Sequence, residues 1–292
     1  MYDDQRTRKL FQKLAATTKR SSAKSTPETV HQLRTTIRRI ETLIAARKAD
    51  DLRGTKKLLK QLARLRRRAG KVRDIDVQLD ALRSVTLDGS RRDIATLMRH
   101  VKNLHAKRER KLVATVEDEL SKGLTRRLKR GMTVVSGKRS SSPKKDFTQI
   151  ALRRLEGLAE RYPHLDEANL HEFRLRCKRV RYLAELDPDT ARSQAVITEL
   201  KRIQDSIGQW HDWVALAEMA EQILEGSASP LLSALRTQRR SKFIGALRTT
   251  HEAKQKLLDL AASTRASRKA PLSARSESAT YALPKSSAAG AA

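Results

Sequence analysis

An internal repeat constrains the fold of this chain more than any other feature of its sequence. His31 and Arg34 recur as His171 and Arg174 with the same spacing. The first matched block pairs Val30, His31, Leu33, Arg34, Arg38 and Arg39 with Leu170, His171, Phe173, Arg174, Lys178 and Arg179. The second block pairs Leu58, Leu62, Arg64, Leu65, Gly70, Arg73 and Asp74 with Val196, Leu200, Arg202, Ile203, Gly208, His211 and Asp212. Order and spacing persist over a long stretch, which predicts a duplication into two similar units related by a pseudo-twofold axis.

Apolar residues recur at helical spacing in both units. Between 27 and 49 they are Val30, Leu33, Ile37, Ile40 and Ile44, which would share one face of an α-helix. Gly and Pro are few, at 11 and 7, which favours an all-α protein. The predicted helices are 27–49, 52–69, 72–87 and 90–129, then 147–161, 167–186, 190–207, 209–224 and 230–260, with Gly70 as a helix stop.

Composition predicts how the chain is divided. Residues 131–145 contain Gly131, Gly137, Pro143 and a run of serines, which is typical of a linker. From about residue 262 onward the chain is rich in Ser, Ala and Arg, which is typical of a disordered segment. We therefore predict a first helical repeat at 1–130, a linker at 131–145, a second helical repeat at 146–261 and a disordered basic tail at 262–292.

The net charge of the chain predicts an anionic partner. Lys and Arg number 63 against 33 Asp and Glu, which gives a formal net charge of +30. A cationic excess of this size favours binding to DNA, RNA, an anionic membrane or a phosphate polymer. Aromatic residues make up only 3% of the chain, which argues against a site that stacks nucleic-acid bases.

Cysteine content and hydropathy predict a cytoplasmic location. Cys177 is the only cysteine, so neither an internal disulfide nor a cysteine-based zinc site is expected. The N-terminus begins with Met1-Tyr2-Asp3-Asp4 and has no apolar run, unlike a signal peptide. No stretch approaches the roughly 20 apolar residues of a membrane-spanning helix.

The helices that carry the first matched block also carry cationic stripes. At 3.6 residues per turn, His31, Arg34 and Arg38 lie beside the apolar face of their helix, and His171, Arg174, Lys178 and Arg181 do so in the second copy. The next helix adds Lys57, Lys60 and Arg64, or Lys201 and Arg202. Such charges are often solvated faces, but their recurrence in both copies with few neutralising carboxylates, Glu41 and Glu185 apart, favours an anion-binding path.

Catalytic chemistry is less well supported by the sequence. His211-Asp212 resembles part of a metal-dependent phosphohydrolase centre, but only Asp74, Asp76 and His171 are evident as further ligands. There is no Gly-rich phosphate loop with Lys-Ser/Thr and no serine nucleophile elbow. We therefore predict no enzymatic activity, no metal and no cofactor, with Asp74 and Asp212 pairing with basic residues or capping a helix turn.

Four ordered motifs resemble the CHAD domain, the conserved histidine α-helical domain, over roughly residues 5 to 255. They are His31-x-x-Arg34-x-x-x-Arg38-Arg39, Gly70-Lys-Val-Arg73-Asp74-Ile-Asp76, His171-x-x-Arg174-x-x-x-Lys178-Arg179-x-Arg181-Tyr182 and Ile203-Gln204-x-x-Ile207-Gly208-x-x-His211-Asp212. The resemblance implies two four-helix bundles around a basic channel or groove that binds inorganic polyphosphate, and association with polyphosphate granules. His211 stands where the family often has Asn, so its role is left open. Without a strand that alternates Glu and Lys, we expect a CHAD protein that lacks a triphosphate-tunnel domain.

The resemblance and the stripes together give a predicted binding site. Its members are His31, Arg34, Arg38, Arg39, Lys57, Lys60, Arg64, Arg73, His171, Arg174, Lys178, Arg179, Arg181, Lys201 and Arg202, with Asp74, Asp76, Asp212 and Tyr182 as structural support. The alternative is a non-specific nucleic-acid-binding protein, and a third class is a scaffold that recruits other proteins to granules. Oligomeric state and preferred polyphosphate length are not predicted by the sequence.

Overall fold

The computed structural model describes residues 4–47, 55–85, 87, 90–137, 146–224 and 229–269. Within these residues there are nine α-helices and no strand, so the all-α prediction is confirmed. The helices are α1 (Asp4–Ala23), α2 (Pro27–Ala46), α3 (Thr55–Arg83), α4 (Arg91–Ser121), α5 (Leu124–Gly137), α6 (Phe147–Arg161), α7 (Leu170–Ala184), α8 (Ala191–Ile223) and α9 (Pro230–Lys269). No described helix combines the length and the apolar character that a membrane span requires.

Helix boundaries differ from the prediction at three glycines. The predicted stop at Gly70 is wrong, because α3 continues through it to Arg83, and α8 likewise continues through Gly208. The break falls at Gly123 instead, whose φ of 78° lies in the left-handed region that ends helices. The predicted helix 90–129 is therefore divided into α4 and α5.

Parts of the predicted linker and of the predicted tail are helical. Residues 131–137 belong to α5, and residues 262–269 belong to α9. Gly131 is a packing residue, since a Cβ at this position would lie 2.6 Å from Cδ2 of Leu58 on α3. The rest of the predicted linker, 138–145, and of the predicted tail, 270–292, lies outside the described residues.

The two halves of the chain pack their helices in the same order. In the first half α1 contacts α2, α2 contacts α3 and α3 contacts α4, and in the second half α6, α7, α8 and α9 repeat this sequence of contacts. The halves meet through corresponding helices, with α2 against α7 and α3 against α8. This order is what a pseudo-twofold arrangement would produce, while the duplication itself stays a prediction.

The apolar faces of α2 and α7 enter one core that is shared by both halves. Leu33 and Ile37 of α2 and Phe173 and Cys177 of α7 are fully buried in it. Burial raises the pKa of the Cys177 thiol, which keeps the sulfur in its unreactive protonated form. A second core joins the distal ends of the α3–α4 and α8–α9 hairpins. The polar sides of α2 and α7 are therefore fixed by the core packing of their opposite sides.

A buried carboxylate helps to join α3 to α4. Glu119 accepts hydrogen bonds from Nε2 of Gln61 at 2.6 Å and from a terminal nitrogen of Arg64 at 3.0 Å. We expect Glu119→Ala to lower the free energy of unfolding by about 1–3 kcal/mol, because the buried amide of Gln61 loses its acceptor. Urea denaturation measures this change, and exposed Glu117→Ala, expected within about 0.5 kcal/mol of wild type, is the control. Equal effects of the two variants would contradict the structural role of Glu119.

Candidate anion-binding site

Capping of α2 sets the position of its cationic stripe. Thr26 is the N-cap, with its hydroxyl accepting from the backbone N–H of Thr29 at 3.2 Å, and Pro27 begins the helix. This start places His31, Arg34 and Arg38 on successive turns. Because the apolar face of α2 is buried in the core, the cationic stripe lies where α2 approaches α7 and α3.

Cations from both halves converge on one region. Burial lowers the pKa values of Arg174 and Lys178 on α7, and Arg34 of α2 lies close enough to lower both further. Burial is the main cause that lowers the pKa of His31 on α2, and Lys178 of the opposite half contributes to it. We call the converging residues the central cluster: His31, Arg34, Arg38, Arg73, His171, Arg174, Lys178, Arg181 and His211, with the carboxylates Asp74 and Asp212.

Lys178 shows how strongly cationic the central cluster is. Burial, together with the nearby Arg174, Arg34, Arg38 and Arg181, lowers the pKa of its ammonium group to about 6. Burial also lowers the pKa of Arg38 to about 10, with Arg34 contributing. Closely spaced buried cations oppose each other's charge. An anion bound among them would favour their charged forms and stabilise the region.

Several buried polar atoms around the central cluster have no hydrogen-bond partner among the described residues. These atoms are Nε of Arg38, Nδ1 of His171, the hydroxyl of Tyr182 and Nε2 of Gln204. Buried polar groups are nearly always paired in folded proteins, and the atoms of Arg38 and Gln204 are N–H donors. A ligand that is rich in acceptor oxygens would satisfy them.

Three histidines in the central cluster are biased toward their neutral forms. The rings of His171 and His211 are 4.0 Å apart between centroids. Burial, together with His171 and Arg174, lowers the pKa of His211 to about 4, and desolvation and then Arg73 lower the pKa of His31. A neutral imidazole still offers one N–H donor. The sequence left the role of His211 open. In the structure its ring lies beside that of His171, at the position in the second half that matches Arg73.

The carboxylates that were predicted as structural support fall into two groups. Asp74 and Asp212 both counteract the lowering of the pKa of Arg174. Burial raises the pKa of Asp212 itself to about 6, with Arg174 opposing and Asp74 assisting the shift. Asp76 instead connects α3 to α4, because its Oδ1 lies 2.8 Å from Nε2 of His105.

Tyr182, the fourth predicted support residue, is buried at the edge of the central cluster. The guanidinium carbon of Arg181 lies 5.0 Å from the centroid of its ring, which is within the range of a cation–π contact. Arg181 also lies 3.4 Å from a carboxylate oxygen of Glu185, which in turn accepts from Nε of Arg39 at 2.9 Å. Arg39 is therefore held in a contact between the two halves of the chain.

Other predicted binding residues lie away from the central cluster. Arg64 pairs with Asp118 at 2.8 Å and Glu119 at 3.0 Å on α4. Arg202, at the matched position, pairs with Glu199 at 2.8 Å and with Glu252 of α9 at 3.3 Å. Lys57, Lys60, Arg179 and Lys201 are exposed on the surface. Within the described residues, no group of three or more His, Cys, Asp or Glu side chains is arranged to hold a metal ion.

Two residues with a part in the site were not among the predicted members. Gln204 accepts a hydrogen bond through its backbone carbonyl from Nε of Arg174 at 3.0 Å. Gly208 lies against the same guanidinium. Both belong to the fourth motif, but nothing in a sequence marks a backbone oxygen or a missing side chain as a contact.

Comparison with known proteins agrees with this architecture. A model of the CHAD domain matches residues 5–221. The crystal structure of the CHAD domain from the plant Ricinus communis is similar with a TM-score of 0.61 and 20% sequence identity, covering 86% of this chain and 88% of that one. At this identity the similarity shows a shared fold. No curated protein matches the chain. Since the family model matches well over half of the sequence, this chain belongs to the CHAD domain family.

Proposed function

We propose that this protein binds inorganic polyphosphate through the central cluster and acts as a binding protein, not as an enzyme. The observation that supports this most directly is the convergence of Arg34 and Arg38 from one half with Arg174 and Lys178 from the other. Burial and the neighbouring cations lower the pKa values of Arg174 and Lys178, so an anionic partner would stabilise their charged forms.

A phosphate polymer suits this arrangement better than a single anion. The guanidinium group binds phosphate oxygens in a two-pronged contact, and the ammonium of Lys178 adds a point charge. Because the charges of a polymer are linked covalently, each further contact after the first is made at a high effective concentration. The acceptor oxygens would also pair with the buried donors of Arg38 and Gln204. The affiliation with the CHAD family supports the same ligand.

Calorimetric titration with polyphosphate of defined length tests this proposal. We expect polyphosphate to bind more tightly than ATP or duplex DNA at matched phosphate concentration, and to displace bound DNA. The physical reason is that duplex DNA is too wide to place successive phosphates among side chains buried between helices. Displacement of polyphosphate by DNA, without the reverse, would favour the nucleic-acid alternative. Salt dependence alone does not distinguish polyphosphate binding from DNA binding. Both complexes weaken as the salt concentration rises, because the release of counterions becomes less favourable.

The proposed ligand also gives a proposed location, which is the cytoplasm and the surface of polyphosphate granules. A fluorescent fusion in polyphosphate-accumulating cells would test it. Granule association should disappear when the central cluster loses its binding capacity. Association that persists in such a variant would instead indicate a scaffold that reaches granules through other proteins.

A further inference from the structure

We infer that Gly208 is a positioning residue whose missing side chain creates the seat for the guanidinium of Arg174. The inference deepens the proposed function, and its predictions about polyphosphate affinity rest on that function. The structural observation behind it is that α8, a helix of 33 residues, continues through Gly208 without interruption. Glycine in a helix interior is less stable than alanine, so its presence there calls for a local reason, and the neighbouring arginine supplies one.

The guanidinium of Arg174 lies close against α8 at the position where Gly208 has no side chain. A Cβ at Gly208 would meet its terminal nitrogen at 2.7 Å, its Nε at 3.3 Å and its central carbon at 3.4 Å. Nε donates to the carbonyl oxygen of Gln204 at 3.0 Å, one helical turn before Gly208. Any side chain at position 208 would therefore displace the guanidinium and weaken this hydrogen bond.

The matched glycine of the first half provides a comparison within the same molecule. A Cβ at Gly70 would lie 3.9 Å from Nε of Arg34, which is an ordinary van der Waals distance. Arg34 makes no hydrogen bond to a backbone carbonyl of the described residues. The two arginines occupy corresponding positions, but only Arg174 is both enclosed and hydrogen-bonded by the helix beneath it.

This difference assigns different roles to the two arginines in anion binding. Arg174 is held in one orientation before the ligand arrives, so little of its side-chain freedom is lost on binding. The same seat keeps its charge near Asp212 and Asp74, which favour the protonated guanidinium. Arg34 is free to adjust to the ligand. Gly208 acts on the anion only through Arg174.

Two alanine variants test the inference. Gly208→Ala is expected to weaken polyphosphate binding about tenfold, by displacing one charged hydrogen-bonding group. Gly70→Ala is expected to change the affinity by less than about twofold, since its Cβ makes only an ordinary contact. Neither should lower the free energy of unfolding, because Arg174 can move and alanine favours the helix. Wild-type affinity in Gly208→Ala, or equal losses in both variants, would overturn the inference.

A double-mutant cycle and an independent spectroscopic measurement separate positioning from other effects. In an Arg174→Ala background, Gly208→Ala should cause no further loss of affinity, and a second loss of about tenfold would contradict an action through Arg174. NMR of the Nε–Hε group of Arg174 needs no ligand. Gly208→Ala should shift this resonance and speed its exchange with water, while Gly70→Ala should leave it unchanged. If wild-type protein failed to bind polyphosphate, the proposed function would fall, and an unchanged resonance would separately overturn the positioning role.

Discussion

Reversing one charge in each half, as Arg34→Glu with Arg174→Glu, is expected to lower the affinity for short polyphosphate by on the order of 100-fold or more. Each arginine contributes charge-assisted hydrogen bonds worth about 1.5–3 kcal/mol, and a loss of about 3 kcal/mol already exceeds 100-fold. The introduced carboxylates also join Asp74 and Asp212, and so repel the ligand. Calorimetric titration measures the affinity, and circular dichroism verifies that the helical content is kept.

A matched control distinguishes a local site from a general effect of net charge. Lys129 and Arg130 are exposed on α5, which contributes no residue to the central cluster. Lys129→Glu with Arg130→Glu changes the net charge by the same amount, but screening limits its influence beyond a Debye length of about 8–10 Å. We expect this variant to stay within about threefold of wild type. Comparable losses in both double variants would mean that binding follows total charge and that the central cluster is not the site.

The matched spacing in the two halves of the sequence was enough to identify the helix faces that converge. His31, Arg34 and Arg38 keep the spacing of one helix side, and their apolar neighbours Leu33 and Ile37 determine which side is buried. Burial of one face fixes the orientation of the other, so the stripe on α2 and its counterpart on α7 could be predicted. Their approach to each other depends on how α2 packs against α7, which the sequence only implied through the resemblance.

The contacts of the basic residues on α3 and α8 were harder to predict, because most of their partners lie far away in the sequence. Arg64 and Arg202 occupy matched positions in the two halves, yet Arg64 pairs with two carboxylates of α4. Arg202 instead pairs with Glu199 of its own helix and with Glu252 of α9. Recurrence of a charge at matched positions does not show what that charge contacts. The same holds for Arg39, whose partner Glu185 comes from the opposite half.

Glycine was the least reliable local signal in this chain. Gly70 and Gly208 suggested helix ends, since glycine costs about 1 kcal/mol relative to alanine in a helix interior. Tertiary packing of two long helical hairpins outweighs a penalty of that size. Gly131 likewise permits a close contact with Leu58 within a helix. Some glycines make room for a neighbouring side chain, and others end a helix. The sequence alone does not distinguish the two kinds, because it does not show which side chain lies nearby.

The lowered pKa of Lys178 predicts that polyphosphate binding is coupled to proton uptake. In the free protein this pKa is about 6, so the ammonium is largely neutral above that pH. Bound phosphates would raise it toward the ordinary value of about 10.4. The same ligand would raise the lowered pKa values of His31, His171 and His211, and would raise further the pKa of Asp212. Each of these increases in pKa makes the protein take up protons when polyphosphate binds.

The affinity for polyphosphate should therefore fall as pH rises, by about tenfold per pH unit for each proton taken up, between about pH 6.5 and 8.5. Titration of the ligand opposes this trend, because terminal phosphates lose protons near pH 6 and become more anionic. Calorimetry in buffers of different ionisation enthalpy counts the protons directly. Lys178→Arg keeps a cation that stays protonated over this range, so it should take up nearly one proton fewer than wild type. An affinity that rises with pH, or an unchanged proton count in Lys178→Arg, would contradict a neutral lysine in the free site.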